Sequence, residues 1–426
     1  MRAAMVFEGL FLALVVVACV GLIWHFARAL YQTAALAPER ELAKLTRPRD
    51  LDEYPGVTVI IPARNEARNI AACLDAVMAS DYPQLSVIVA DDDSSDKTSA
   101  IVRARADSDP RIRLLSVPDG GEQRRAFASG KSYVLWQASQ LPEAEKAPWL
   151  LFLDADTRLR PDAIWKAVAY ATRHRLGAFS GSGIYENPSV FGEVMETMLY
   201  SQVFQWMPIR AINRDTSPKG WLNGQMILIG GDSYRSAGGH RAIGEHAFDD
   251  LALGHHLKRR GIRYRFLPAA QLYRCFNYVD FEEAMSGWTR LLAGGTPWLR
   301  MGKGTFFAMA AELVVVWALP PVLLFLCYAS EPPAPSGLGG SPIALLWAQV
   351  AAAFALHALH RAAVGAPLLR SVLYPAAAWL ALAAVWRGYR ARFHKGAIEF
   401  RGRTLRPDLD HDHRDGRGEG RPGNTR

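Results

Sequence analysis

Two aspartates one residue apart, Asp154 and Asp156, follow an apolar run at 149–153. Carboxylates at that spacing can hold a hard divalent cation through oxygen and leave room in its shell for phosphate oxygens. Seen alone, the pair is equally an acidic surface turn, because Asp favours turns. Two further polar clusters stand directly after apolar runs: Pro62, Ala63, Arg64, Asn65 and Glu66 follow residues 57–61, and Asp91, Asp92 and Asp93 follow residues 85–90. A fourth constellation has acid–base character. An apolar run at 226–229 is entered through Asn223, Gly224 and Gln225 and leads past His240 and His246 to Asp249 and Asp250. Carboxylates can serve as general acids or bases. Adjacent acids are also favoured in the first turn of a helix by its dipole, so this pair needs its context.

The elements around these clusters alternate. Residues 57–61, 85–90, 112–117, 149–153 and 178–182 read as short buried strands, and Ile70, Cys73, Leu74, Val77 and Met78 recur at helical spacing. Strands alternating with helices imply an α/β fold, a mostly parallel sheet with helices on both faces. Right-handed crossovers bring the carboxyl ends of the strands to one edge, where open sheets bind ligands. Turn chemistry explains any one polar strand end; three in succession favour a ligand site.

No GxGxxG follows the first strand, which removes a dinucleotide fingerprint. Gly130-Lys131-Ser132 mimics the end of a phosphate-binding P-loop, but Arg125 occupies the required first glycine position. The four cysteines, Cys19, Cys73, Cys275 and Cys327, have no metal-ligand spacing.

The ordered set VTVIIPARNEARNI, VIVADDDSSDKT, Gly130-Lys131 and LLFLDADT resembles family 2 glycosyltransferases of GT-A fold over about residues 57–300. Flanking apolar segments are similar to those of the branch that glycosylates lipids, such as ceramide glucosyltransferases and carotenoid or hopanoid glycosyltransferases. The resemblance implies that Pro62 to Glu66 with Asp91 and Asp92 hold the uridine of a UDP-sugar and that Lys131 lies near the nucleotide. It further implies that Asp154 and Asp156 bind Mg²⁺ or Mn²⁺ on the diphosphate, where the ion acts as a Lewis acid for the leaving group. Asp249-Asp250 matches the family's Glu-Asp motif with Asp for Glu, which makes Asp250 the expected general base of an inverting displacement.

The chain departs from the family in three places. Asp93 and Lys97 stand where glycine is common, and the Gln/Arg-x-x-Arg-Trp motif is replaced by Ser286-Gly287-Trp288-Thr289-Arg290. The acceptor contacts expected from this half are Gly224, Gln225, Trp288 and Arg290, with His240, which reads equally as a satisfied polar residue.

Composition sets the remaining frame. Among 426 residues, 5–24 are almost uninterruptedly apolar, about the 20 needed to cross a bilayer core. No small-residue cleavage site follows, so a retained anchor is expected. Later apolar blocks lie at 306–328, 343–359 and 372–386, the last short for a crossing. The net charge of +8 does not mark a nucleic-acid binder, because the basic residues cluster beside apolar segments: Arg28, Arg40, Lys44, Arg47 and Arg49, then Arg361, Arg370 and the run 387–406. The positive-inside rule puts the central domain in the cytoplasm of an inner-membrane, multi-pass protein. Three late crossings would put the basic tail outside, so two late crossings with one re-entrant or interfacial block are expected.

The resulting partition is an anchor (1–30), a basic linker (31–54), a cytoplasmic catalytic domain (55–280), an amphipathic interfacial region (281–304), a transmembrane region (305–388) and a basic tail with a disordered end (389–426). Asp410-His411-Asp412-His413 in that tail reads as solvated polar chain, with weak metal binding as the alternative. The expected activity is transfer of a hexose, glucose foremost, from UDP to a hydroxyl of a membrane lipid. The rivals are a processive polysaccharide synthase and a non-catalytic sugar-nucleotide-binding subunit.

Overall fold

The computed structural model describes residues 2–33, 41–42, 44–45, 54–295, 302–329, 341–395, 398–400 and 403–405. Arg40, Arg47, Arg49, Trp298, Arg300 and the acidic-histidine stretch 410–413 lie outside the described residues.

The apolar runs form strands β1 (Val57–Ala63), β2 (Leu85–Asp91), β3 (Ile112–Ser116), β4 (Trp149–Leu153), β5 (Thr157–Leu159), β6 (Ala178–Ser182), β7 (Ile184–Tyr185), β8 (Met226–Gly230), β9 (Tyr264–Pro268) and β10 (Tyr273–Cys275). The main sheet has the order β3-β2-β1-β4-β8-β6-β9, and a small second sheet runs β5-β10-β7. β1, β2, β3 and β4 pair in parallel, as do β6 and β9. β8 alone runs against its neighbours β4 and β6. It therefore enters the sheet at the edge where the others leave, and Met226 at its start pairs with Leu153 at the end of β4.

Period-two alternation fills both faces. Ile60, Ile88, Leu150, Phe152 and Ile227 pack with the helices Gly130–Ser139, Val190–Trp206 and Asp249–Arg259 on one side. Val59, Ile61, Val87, Leu151 and Leu228 pack with the helices Ile70–Met78 and Ala163–Arg173 on the other. A run buried on both faces of a parallel sheet reads as continuously apolar. The polar residues that close β1, β2 and β4 therefore emerge together at one edge.

The first of these cores continues outward. Trp288 of the helix Phe281–Arg290 packs with Met198 and Leu199, then with Phe306, Met309, Leu313 and the small-residue face Ala377, Ala378, Ala381 and Ala384. Among the described residues, four helices are long and apolar enough to cross a membrane: Gly9–Arg28, Lys303–Ala329, Ile343–Ala362 and Leu368–His394. The last is longer than the apolar block at 372–386, because the helix continues through the basic residues Arg387 and Arg390.

Candidate active site

At the ends of β1 and β2 the chain makes two tight turns. Asn65 and Asp93 adopt φ of 54° and 55°, a left-handed conformation that Asn and Asp tolerate better than most residues. Asp93 thus fills a position suited to glycine while its side chain faces solvent. Asp91 is 3% exposed and accepts hydrogen bonds from the Ser94 and Ser99 hydroxyls, which fixes the loop after β2. Its neighbour Asp92 pairs with Arg124 and lies 3.6 Å from Arg64, whose guanidinium also donates to the Asp92 carbonyl at 2.8 Å. Glu66 is buried and accepts from the Asn69 amide at 3.0 Å, while its own N–H donates to Thr98 Oγ1 at 2.8 Å. These contacts knit the two polar strand ends into one floor.

Lys131 stands at the start of the helix Gly130–Ser139 and reaches across to the end of β4. Its Nζ lies 2.6 Å from Asp154 Oδ1 and 3.8 Å from Asp249 Oδ2. Burial would lower the ammonium's pKa, but Asp154, Asp249 and Asp250 together outweigh it and hold the charge. Burial raises Asp154 above the ordinary carboxylate range; Lys131 opposes that rise, and Asp249 and Glu66 add to it.

Asp250 sits on the first turn of the helix Asp249–Arg259. It accepts the Gly224 N–H at 3.2 Å and the Leu251 N–H at 2.8 Å. Its pKa is pushed up to about 6, first by burial and then by the Asp249 charge, against Lys131 and these two N–H donors. A carboxylate poised there is ionised at neutral pH yet basic enough to take a proton. A Cβ at Gly224 would crowd the pair, standing 3.0 Å from Lys131 Nζ and 3.5 Å from Asp250 Oδ2.

Asp156 lies in the turn between β4 and β5. Its carbonyl accepts the Phe276 N–H at 3.0 Å, and its Oδ1 is 3.2 Å from Cys275 Sγ. Burial, then the Asp156 charge, pushes the Cys275 thiol well above its ordinary value, so it remains a neutral donor. Cys275 and its partner Asn277 carried no signal in the sequence, where the cysteine showed only an absence of metal spacing. The antiparallel pairing of Cys275 with Thr157 brings it to the site, a contact across more than a hundred residues. Among the described residues no group of three His, Cys, Asp or Glu side chains could hold a metal by itself. Asp154 and Asp156 offer hard oxygen donors, with one Asp154 oxygen engaged by Lys131. That set fits a divalent cation held jointly with diphosphate oxygens rather than by protein alone.

Pro62, Lys131, Asp154, Gly224, His240 and Asp249 line one crevice, and Asp250 adjoins it through Gly224. His240 is buried beneath it, edge-on to Phe152 at 4.8 Å between ring centroids, with Nδ1 2.8 Å from Tyr234 Oη. Burial pulls its pKa down to about 4, so the ring is neutral. Gln225 is spent inside the fold: its amide donates to Asn277 at 3.1 Å and its oxygen accepts from Tyr273 at 3.2 Å. Its backbone carbonyl accepts the Asp154 N–H at 3.3 Å, which ties β8 to the aspartate pair. Trp288 is 1% exposed and packs edge-on against Tyr200. The Arg290 guanidinium lies 5.9 Å from the ring of Phe248, the residue before Asp249. Ala63 is buried at the end of β1 and supplies a carbonyl to the Asp92 N–H at 2.8 Å.

Comparison with known proteins adds an independent line. The family model Glycosyl transferase family 2 matches residues 58–224, and Glycosyl transferase family group 2 matches residues 149–389. Curated relatives include 4,4'-diaponeurosporenoate glycosyltransferase of Staphylococcus aureus strain MRSA252, 26% identical over 64% of this chain and 69% of that relative. The same enzyme from strain USA300 gives the same identity and coverage. Among solved structures, a mannosyltransferase of Pyrobaculum calidifontis in complex with GDP-Man and Mn2+ superposes with a TM-score of 0.51 at 22% identity. It covers 89% of this chain and 99% of its own.

Proposed function

The chain belongs to the family 2 glycosyltransferases, and from that premise we propose that it transfers a hexose, with glucose as the expected sugar, from UDP to a hydroxyl of a membrane lipid. The observation that carries the reading is the juxtaposition of Lys131, Asp154 and Asp249 with Asp250 across Gly224. Lys131, Asp154 and Asp249 line one crevice, and a carboxylate raised to about 6 adjoins it.

In this reading the β1 and β2 ends hold the nucleoside, with Arg64 and Arg124 positioning Asp92. Lys131 meets the diphosphate as a charged group. Asp154 and Asp156 would hold Mg²⁺ or Mn²⁺ together with the diphosphate, and the ion would neutralise charge on the departing UDP. Asp250 takes the proton of the acceptor hydroxyl while that oxygen bonds to the anomeric carbon and the bond to the diphosphate oxygen breaks. Attack opposite the leaving group inverts the anomeric centre. In this reading Gly224 and Arg290 are the acceptor-side residues, while buried His240, Gln225 and Trp288 act through packing.

Two likenesses support the partners. The Staphylococcus relatives are named for a glycosyl transfer to 4,4'-diaponeurosporenoate. The Pyrobaculum structure holds a nucleotide sugar together with Mn2+ on the same fold. Apolar helices flank the domain on both sides in the sequence, which supports a lipid acceptor, and the basic flanks support a position on the cytoplasmic side of an inner membrane. Incubation of the purified protein with UDP-glucose, Mn2+ and membrane lipid tests the reading. A singly glycosylated lipid is expected; a polymer would favour a processive synthase, and nucleotide binding without turnover a non-catalytic subunit.

A further inference from the structure

The helix Leu368–His394 has the length and apolarity of a membrane span, but both of its ends touch the catalytic side of the molecule. At its start, Arg370 pairs with Glu193 in the first turn of the helix Val190–Trp206, and the fully buried Arg361 just upstream pairs with the same carboxylate. Between them, the backbone at Gly365 approaches Ile184 of β7 so closely that a Cβ would stand 3.0 Å from its side chain. At the other end, Arg392 donates to the Ala293 carbonyl at 3.1 Å, and a Cβ on Gly388 would stand 2.6 Å from Leu292. Arg387 lies 3.9 Å from Glu282 on the helix Phe281–Arg290, and the strand Ile398–Phe400 beyond packs on that same helix.

From Arg370 to Arg392 a helix spans roughly 33 Å at about 1.5 Å per residue, about the whole thickness of a bilayer core. A crossing helix of that length would have one end on the far side, away from the catalytic domain. The other three apolar helices behave that way. Near the catalytic domain, the carbonyl of His25 accepts from Gln205 at 3.4 Å, and Glu312 lies 3.5 Å from the Gln202 amide. Their opposite ends form a separate apolar cluster of Phe11, Val15, Leu323, Leu324 and Leu346.

The outward face of the fourth helix is also unlike that of a span. Val372, Trp379, Ala383 and Trp386 form one exposed stripe, which runs on into exposed Arg387 and Arg390. The opposite face, Ala377, Ala378, Ala381, Ala384 and Val385, is buried on the protein. Tryptophans beside arginines suit the headgroup level, where the ring is half-solvated and the cations meet anionic lipid.

We propose that the helix Leu368–His394 lies in the plane of the membrane surface on the catalytic side, presenting its Trp379–Trp386–Arg390 stripe to the lipid headgroups. Among the described helices, the other three then cross the bilayer. This identifies which late apolar block is the interfacial one, and it leaves the basic tail on the same side as the catalytic domain.

Single cysteines placed in the full chain at Leu369, which is 88% exposed, and at Arg390 test this. Ser108→Cys, at the exposed end of the helix Thr98–Ser108, marks the catalytic side. Each variant is treated with a membrane-impermeant maleimide in intact cells and in inverted membrane vesicles, with the parental chain as blank. Leu369→Cys and Arg390→Cys are expected to react in the same preparation as Ser108→Cys. Reaction of either from the opposite side overturns the proposal. So does a Leu369→Cys that reacts only after detergent dissolves the membrane.

Discussion

Removing the Asp250 carboxylate should abolish transfer while making the protein more stable, a combination that a merely structural helix-start acid would not produce. Burial and Asp249 move this carboxyl from an ordinary 3.8 to about 6. The folded chain therefore holds the proton to higher pH than the unfolded chain does. That favours folding at pH below about 4, and the contribution is lost as pH rises through about 6. At pH 8 the ionised group costs the fold about 3 kcal/mol relative to an unperturbed carboxyl. Asp250→Asn relieves the buried charge but keeps an oxygen for only one of the two N–H donors, Leu251 on Oδ1 or Gly224 on Oδ2. At pH 8 the relieved charge, about 3 kcal/mol, less roughly 1–2 kcal/mol for the lost acceptor, should leave a net gain of about 1–2 kcal/mol by thermal unfolding in detergent.

Transfer should fall about 10²–10⁴-fold in the same variant, the usual loss for a general base. The wild-type rate, followed as radiolabelled hexose moved from UDP to lipid between pH 5 and pH 8, should fall about tenfold per pH unit below 6. Lys131→Met removes the cation that opposes the rise and should shift that acid limb to higher pH. A wild-type rate flat down to pH 5, or an Asp250→Asn protein that is active and less stable, would refute the reasoning.

Three other expectations rest on separate contacts. Asp156→Asn should raise the Mn2+ concentration for half-maximal activity at least about tenfold, measured by titrating the metal into chelator-treated enzyme. Gly224→Ala places a methyl 3.0 Å from Lys131 Nζ and should cut transfer about 10- to 100-fold, checked by steady-state rates, with the unfolding temperature little changed. Arg124→Ala leaves Asp92, 5% exposed, without its closest cation. It should lose roughly 3 kcal/mol of stability and weaken UDP binding, read by thermal unfolding and calorimetry.

The edge where the polar clusters meet was legible because its pattern is local. Each of β1, β2 and β4 is a short apolar run that stops at a polar cluster, and parallel pairing alone brings those ends together. The position of β8 was readable as an apolar run, but its reversed direction was not. That reversal puts Gly224 and Gln225 beside Asp154 and depends on pairing with distant β4 and β6. Cys275, Asn277 and Tyr273 were invisible for the same reason: they reach the aspartate pair through the small β5-β10-β7 sheet. Gln225 and Trp288 have the residue types of ligand contacts, yet the first is consumed by internal hydrogen bonds and the second by packing. Nor does apolar length distinguish the helix Leu368–His394 from a crossing. Only the contacts of its two ends do that.

The most direct test is a single product analysis. Purified full-length protein is given UDP-[¹⁴C]glucose, Mn2+ and lipid extracted from its native membrane, and the organic phase is resolved by chromatography and mass spectrometry. One labelled lipid carrying a single sugar of inverted anomeric configuration, absent with chelator and absent with Asp250→Asn, is the expected result. Label that stays in UDP-glucose or appears only as free glucose or polymer, with every lipid class unlabelled, would contradict it.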